Sequence, residues 1–334
     1  MNKKYFYLLF MFAFLVSCSN KLNVNADWKD ITVVYGLLNQ NDSIHYLRIT
    51  KAFLGPGDAL QFARIPDSSN YPNKLDVRLE EWDISGGDST LKNTYSFDTT
   101  RVKKDTGSFI FNYPYQKVYR TIGKLNENYT YKLFITLPKT GKLITGRTVL
   151  ISRMTIKTPR SGSKASILPQ TSIPLEFLSS INGRRYQLVL RFNYTEYTSK
   201  DTAKIAKYVD WQVFNDEVSP DLTGGKDLQP YYLGDGLYSA LKSKIPVDPT
   251  VTRHATSVDY ILSVGSDDLN TYMNVTAPST TIVQERPSYT DITNGIGLFS
   301  SIYDNTKDSP RHLTIGQVML DSLRSNHNTF NLGF

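Results

Sequence analysis

Apolar and polar residues alternate with period two along most of the chain. Leu75, Val77 and Leu79 alternate with Asp76, Arg78 and Glu80; Tyr129, Tyr131, Leu133 and Ile135 alternate with Thr130, Lys132 and Thr136. Tyr186, Leu188, Leu190 and Phe192 alternate with Gln187, Arg191 and Asn193, and Val258, Tyr260, Leu262 and Val264 with Asp259 and Ser263. Each run predicts a strand with one face on a core and one in water. Residues 31–38 are more continuously apolar, which predicts a strand covered on both sides. Gly86-Gly87, Lys139-Thr140-Gly141, Asn182-Gly183 and Asn294-Gly295 are tight-turn signals between strands.

Helical spacing is rare. Asp235 predicts a cap for a helix carrying Leu237, Leu241 and Ile245, ended by Pro246. Ser266 precedes Leu269, Tyr272 and Met273, and Thr314-Ile315-Gly316-Gln317 reads as a capping box before Val318, Met319 and Leu323. Asp58 reads as the cap of a short turn within the long connection 54–74. The fold class is therefore mainly β, with a few short helices in the second half.

The N-terminus follows another pattern. Lys3 and Lys4 precede an apolar run of twelve residues, Tyr5 to Val16. A membrane-spanning helix needs about 20 such residues, so this run fits the core of a secretory signal. Leu15-Val16-Ser17-Cys18 follows, and resembles a bacterial lipobox. Cys18 is the chain's one cysteine, which excludes a disulfide framework and a multi-thiolate metal site. The expected organisation is a signal peptide at 1–17, a lipidated Cys18, and a tether at 18–26. A β-sandwich at 27–156, a polar linker at 157–170 and a β-rich domain at 171–334 complete it. Acyl chains hold a membrane at about 0.8 kcal/mol per buried CH₂. Ser19, rather than an acidic residue, follows the cysteine; in sorting of the common Gram-negative type, that likeness implies the outer membrane.

The formal charge is +7 over 334 residues, and removal of Lys3 and Lys4 lowers it to +5. The basic residues are scattered, so no nucleic-acid partner is expected. Leu125 to Leu133 holds a leucine, a polar turn and Tyr131 at the head of an alternating strand. This resembles the tyrosine corner of immunoglobulin and fibronectin type III sandwiches, which gives Tyr131 a structural role. Residues 30–38, 43–49, 51–55 and 57–60, with Asn294 to Phe299, resemble a large family of Bacteroidota lipoproteins catalogued only as a domain of unknown function. The likeness implies a cell-envelope accessory to nutrient uptake or surface binding, with no mechanism attached.

Candidate chemistry is sparse. His45, His254, His312 and His327 form no metal or catalytic motif, and no nucleophile elbow or phosphate loop occurs. The expectation is no catalytic residue, no metal and no cofactor. Gly295 and Gly297 read as a turn needing positive φ. The acidic loop 215–235 matches no EF-hand spacing. Tyr231 and Tyr232 are the candidate ring-stacking residues, whereas Trp211 alternates with Val209 and Val213 and reads as core. Five Asp-Ser/Thr triplets resemble an O-glycosylation pattern of exported Bacteroidota proteins, with Ser89, Thr202 and Thr99 as the better acceptors. The function expected is a non-enzymatic, outer-membrane-anchored lipoprotein binding an envelope protein or glycan. A hydrolase acting through carboxylates and a purely structural lipoprotein are the alternatives.

Overall fold

The computed structural model describes residues 31–52, 59–62, 64–105, 113–198, 203–278, 288–308 and 310–334. The signal peptide, Cys18, the tether, the Asp58 cap and Thr202 lie outside the described residues. The protein is mainly β, built from several sheets, and among the described residues none closes into a barrel. Among the described residues no helix is long and apolar enough to cross a membrane.

The first half contains β1 (Ile31–Leu38), β2 (Ile44–Ala52), α1 (Ala59–Phe62), α2 (Pro66–Ser69), β3 (Asp76–Asp83) and β4 (Thr90–Ser96). β5 (Asp98–Lys103), β6 (Tyr115–Ile122), β7 (Thr130–Thr136) and β8 (Leu143–Val149) follow. One sheet has the order β1-β2-β6-β5 and the facing one β4-β3-β7-β8. In immunoglobulin lettering these are the A-B-E-D and C′-C-F-G sheets, so the expected sandwich topology is present. Its core holds Leu47, Leu79, Leu133, Ile135 and Ile144 from the alternating strands. Tyr131 makes the corner at the start of β7: its phenol accepts from the Asn126 N–H at 2.6 Å and donates to the Asn126 carbonyl at 3.0 Å.

The second half contains β9 (Thr155–Thr158), β10 (Ser172–Pro174), β11 (Glu176–Leu178), β12 (Arg185–Thr198), β13 (Ile205–Val218), β14 (Asp227–Leu228) and β15 (Tyr231–Leu233). Then come α3 (Asp235–Lys244), β16 (Val251–Gly265), α4 (Asp267–Thr276), β17 (Ile296–Asp304), β18 (Arg311–Thr314) and α5 (Gln317–Ser325). The long strands β13-β12-β16 form one sheet, with β18 also paired to β16. Phe177 of β11, Leu237 and Leu241 of α3 and Met319 and Leu323 of α5 share a core with Leu188, Leu190 and Phe192 of β12. That core lies on one face of the long sheet, so the residues between them on β12 are left half-exposed.

The polar segment near 157–170 does not divide two closed sheets. β17 pairs parallel with β1, Val33 opposite Ile296 through Leu38 opposite Ser301, and antiparallel with β16. One nine-stranded sheet thus runs through both halves, and Phe299 of β17 sits in the core of the first. Gly297 permits this junction: its φ is 120°, and a Cβ there would lie 1.9 Å from the Val34 carbonyl oxygen. The Asn294-Gly295 signal therefore marks re-entry into the sandwich rather than a hairpin, although Gly86-Gly87 and Thr140-Gly141 do close hairpins.

Three local expectations need correction. Gly234, not Asp235, takes the N-cap position of α3. β1 is not covered on both sides: Val34 and Leu38 are buried, but Tyr35 and Leu37 face outward. Its apolar outer positions meet only partial cover, such as Tyr272 of α4 edge-on to Tyr35. Thr314 does not cap α5; it ends β18 opposite Ser257, and Gly316 occupies the cap without a side-chain bond. Strand pairing with β16 holds Thr314 in extended backbone. Ser266 does cap α4, accepting from the Leu269 N–H.

Candidate functional site

The inner face of the β5–β6 ribbon begins as core and ends as a groove. Tyr119 is buried there, its hydroxyl accepting from the Leu75 N–H at 3.1 Å. Two residues earlier on the same face of β6 stands Lys117, and two earlier again Tyr115, which is 56% exposed. Across the ladder Arg101 lies opposite Lys117, and Lys103 opposite Tyr115. The ribbon continues past the strands through a Lys104 N–H bond to the Pro114 carbonyl. Lys104 then places its ammonium 4.2 Å from the centre of the Tyr113 ring.

The opposing wall comes from the connection before β3. Tyr71 is fixed at both ends: its hydroxyl bonds the Thr32 hydroxyl at 2.7 Å, and its carbonyl accepts from Lys117 Nζ at 3.1 Å. Between these walls lies a cavity of about 800 Å³, lined by Tyr71, Tyr113, Tyr115, Arg101, Lys117 and Thr99 among others, with no carboxylate among the described lining residues. A smaller cavity of about 180 Å³ shares Tyr71 and Pro72 and is bounded by Lys51, Leu75 and Leu137. The nearest acidic group along β5, Asp98, is engaged by Lys74 at 2.9 Å, which holds its carboxyl below the usual carboxylate range.

A second polar arrangement occupies the uncovered face of the long sheet. Arg191 of β12 makes a bidentate pair with Asp210 of β13, at 2.7 and 2.8 Å, and its guanidinium lies 4.1 Å from the Tyr208 ring centre. Asp259 of β16 accepts from Asn193 Nδ2 at 2.8 Å and bonds His312 Nδ1 of β18. Arg191, Asp259 and His312 border a cavity of about 300 Å³ with Asn305 and Thr306. A carboxylate on Nδ1 holds an imidazole with Nε2 outward, the orientation that general-base chemistry requires.

The residues singled out from sequence fall elsewhere, Thr99 excepted. Tyr232 cannot stack on a ligand: it is 6% exposed, hydrogen-bonded to Tyr260 at 3.0 Å and edge-on to Trp211. Desolvation raises its hydroxyl pKa. Tyr231 is exposed on β15, away from its buried neighbour because successive strand residues face opposite ways. Trp211 packs against the core beside Gly236. Ser89 is exposed in the β3–β4 hairpin loop, whereas Thr99 is half-buried in β5 and lines the groove.

Of the histidines, His45 is buried and donates from Nε2 to the Gly123 carbonyl; burial lowers its pKa. The acidic loop disperses its charges: Asp221 takes Thr223 and Lys226, Asp227 takes Lys157, and Asp235 accepts from the Gln170 N–H. Among the described residues no group of three metal-ligating side chains occurs.

The groove is assembled from three separated segments, so no local pattern joins its residues, and Thr99 is legible in the sequence for another role. Tyr113-Pro114-Tyr115 beside Lys103-Lys104 was the available signal: aromatics and cations at one hairpin end. The open-face ladder was hidden in the polar half of the alternating pattern. No protein-family model matches the chain, and no curated protein matches it significantly.

Proposed function

We propose that this protein is a lipid-anchored envelope lipoprotein of the bacterial outer membrane whose role is binding rather than catalysis. Its partner is a protein or glycan of the envelope, met beside a nutrient-uptake transporter. The groove of tyrosines and cations at the end of the sandwich carries the binding reading. It offers ring faces and N–H donors on a paired ribbon, and its described lining residues lack the paired carboxylates that glycoside hydrolysis needs. Anchoring rests on the Leu15-Val16-Ser17-Cys18 sequence. Cys18→Ser is expected to leave the protein unprocessed or free of the membrane; a mature-length variant still fractionating with outer membrane would refute the anchor.

One observation favours hydrolysis instead. His312, oriented by Asp259, borders a cavity that also holds Arg191. Turnover of ester or glycoside substrates abolished by His312→Ala would favour that reading over binding.

A further inference from the structure

We propose that the sandwich-end groove binds an anionic oligosaccharide, with a carboxylate or sulfate held between Arg101 and Lys117 and a sugar ring laid against Tyr115. The inference rests on the binding reading above and names its ligand class.

The charge placement carries it. Arg101 and Lys117 are directly opposed across the β5–β6 ladder, on the face that lines the groove. Like charges in opposed positions destabilise a strand pair. Another opposed cation pair, Lys132 with Arg147, has Glu80 across the ladder from Lys132, and Arg191 meets Asp210. Lys117 donates to the Tyr71 carbonyl, and among the described residues the groove lining supplies no carboxylate to Arg101. Lys103 follows on the same face of β5, and Lys104 stands over Tyr113. An anion between the opposed cations would relieve their repulsion and accept charge-assisted hydrogen bonds.

The ring of Tyr115 decides what carries that anion. Tyr115 is mostly exposed and so available as a flat amphipathic surface, whereas Tyr113 has one face taken by the Lys104 ammonium. A cavity of about 800 Å³ accommodates several sugar residues. An extended acidic peptide would instead add to the free edge of β5, the terminal strand of the large sheet. The groove opens on the face of the ribbon, away from those edge hydrogen bonds. Thr99 lines the same groove, so a glycan attached there would block it.

The test measures binding of the full mature chain to four probes: an oligogalacturonide, a sulfated dextran, neutral dextran and poly-glutamate. One or both anionic sugars are expected to bind, with affinity falling steeply as salt rises. Arg101→Ala and Lys117→Ala should each weaken that binding at least tenfold, and Tyr115→Ala should weaken it severalfold. Thermal unfolding supplies the folding control. Arg101→Ala relieves the opposed charges, so its midpoint should equal or exceed the parent's in the absence of sugar. Neutral dextran binding as tightly as the anionic sugars, sensitive to Tyr115→Ala, would overturn the anionic assignment and leave the binding reading standing. Poly-glutamate binding that ignores Tyr115→Ala would make the groove a peptide site and overturn the sugar assignment. No binding of any probe would overturn the proposal and remove the groove's support for the binding reading.

Discussion

The two halves bury their strands by different means. In the first, the β1-β2-β6-β5 part of the nine-stranded sheet faces the four-stranded β4-β3-β7-β8 sheet, and the space left for a ligand lies at the open end, where the core face of β6 passes from Tyr119 to Lys117. In the second, strands of fourteen and fifteen residues form one sheet whose core face is shared with short strands and two helices. Its other face carries Arg191, Asp210, Asp259 and His312 in a cross-strand row. A sandwich hides both inner faces and exposes its ends; a sheet backed on one side exposes a whole face. Chemistry in the first half must therefore gather at the rim, and in the second it can spread across strands.

The halves also share one structural debt, β17, and removing its anchor tests whether they are separate at all. Phe299 is fully buried in the first core although it lies beyond residue 290, and its side chain packs beside Gly146 of β8. Phe299→Ala is expected to destabilise the protein by about 3–5 kcal/mol, the usual range for a buried phenylalanine. Hydrogen exchange should show protection lost in β7 and β8 together with β17. Loss confined to the second half would mean that the sandwich closes without β17.

Much of this architecture is legible along the chain, and the missing parts share a cause. Alternation places Leu79, Leu133, Leu190 and Leu262 in the core, where they are found fully buried. Tyr131 is readable as a corner because its partner lies five residues away. The β1–β17 pairing joins segments more than 250 residues apart, and Gly297 alone hints at it. Residues 31–38 misled because apolar composition does not say whether anything stands over the outer face. Tyr232 misled because adjacency to an acidic loop says nothing about which side of β15 faces the core. The groove needs the β2–β3 connection to meet the β5–β6 ribbon, a meeting that no local pattern encodes.

A finer contrast lies in two tyrosines that play the same part in each half. Tyr131 bonds Asn126, whose residue is exposed, so water can replace the phenol. Tyr186 accepts from the N–H of Ser180, which is buried, at 2.7 Å. Removing a partner from a buried donor costs about 1–3 kcal/mol, against about 0.5–1.5 kcal/mol for an ordinary hydrogen bond. Tyr186→Phe should therefore cost more than Tyr131→Phe in urea unfolding, with groove binding unchanged in both. Equal losses would show that the two corners are equally wet.

The smallest effect concerns a carboxyl at the seam between the halves. Asp291 accepts from the Phe299 N–H at 2.9 Å, and burial, with the nearby Asp268 charge, pushes its pKa up to about 6. A carboxyl protonated more readily in the folded state stabilises that state at low pH. The contribution is complete below the unfolded value near 4 and is lost as pH rises through about 6. Asp291→Asn keeps an oxygen for the Phe299 N–H and has no charge to develop. The parent should therefore lose stability between pH 4.5 and 7 relative to the variant. Because the carboxyl is partly exposed, screening reduces the difference to about 1 kcal/mol. Urea midpoints at pH 4.5, 6 and 7.5 measure it. Parallel pH profiles for parent and variant would mean that water reaches Asp291 freely, and that the seam around β17 is looser than the sandwich core it completes.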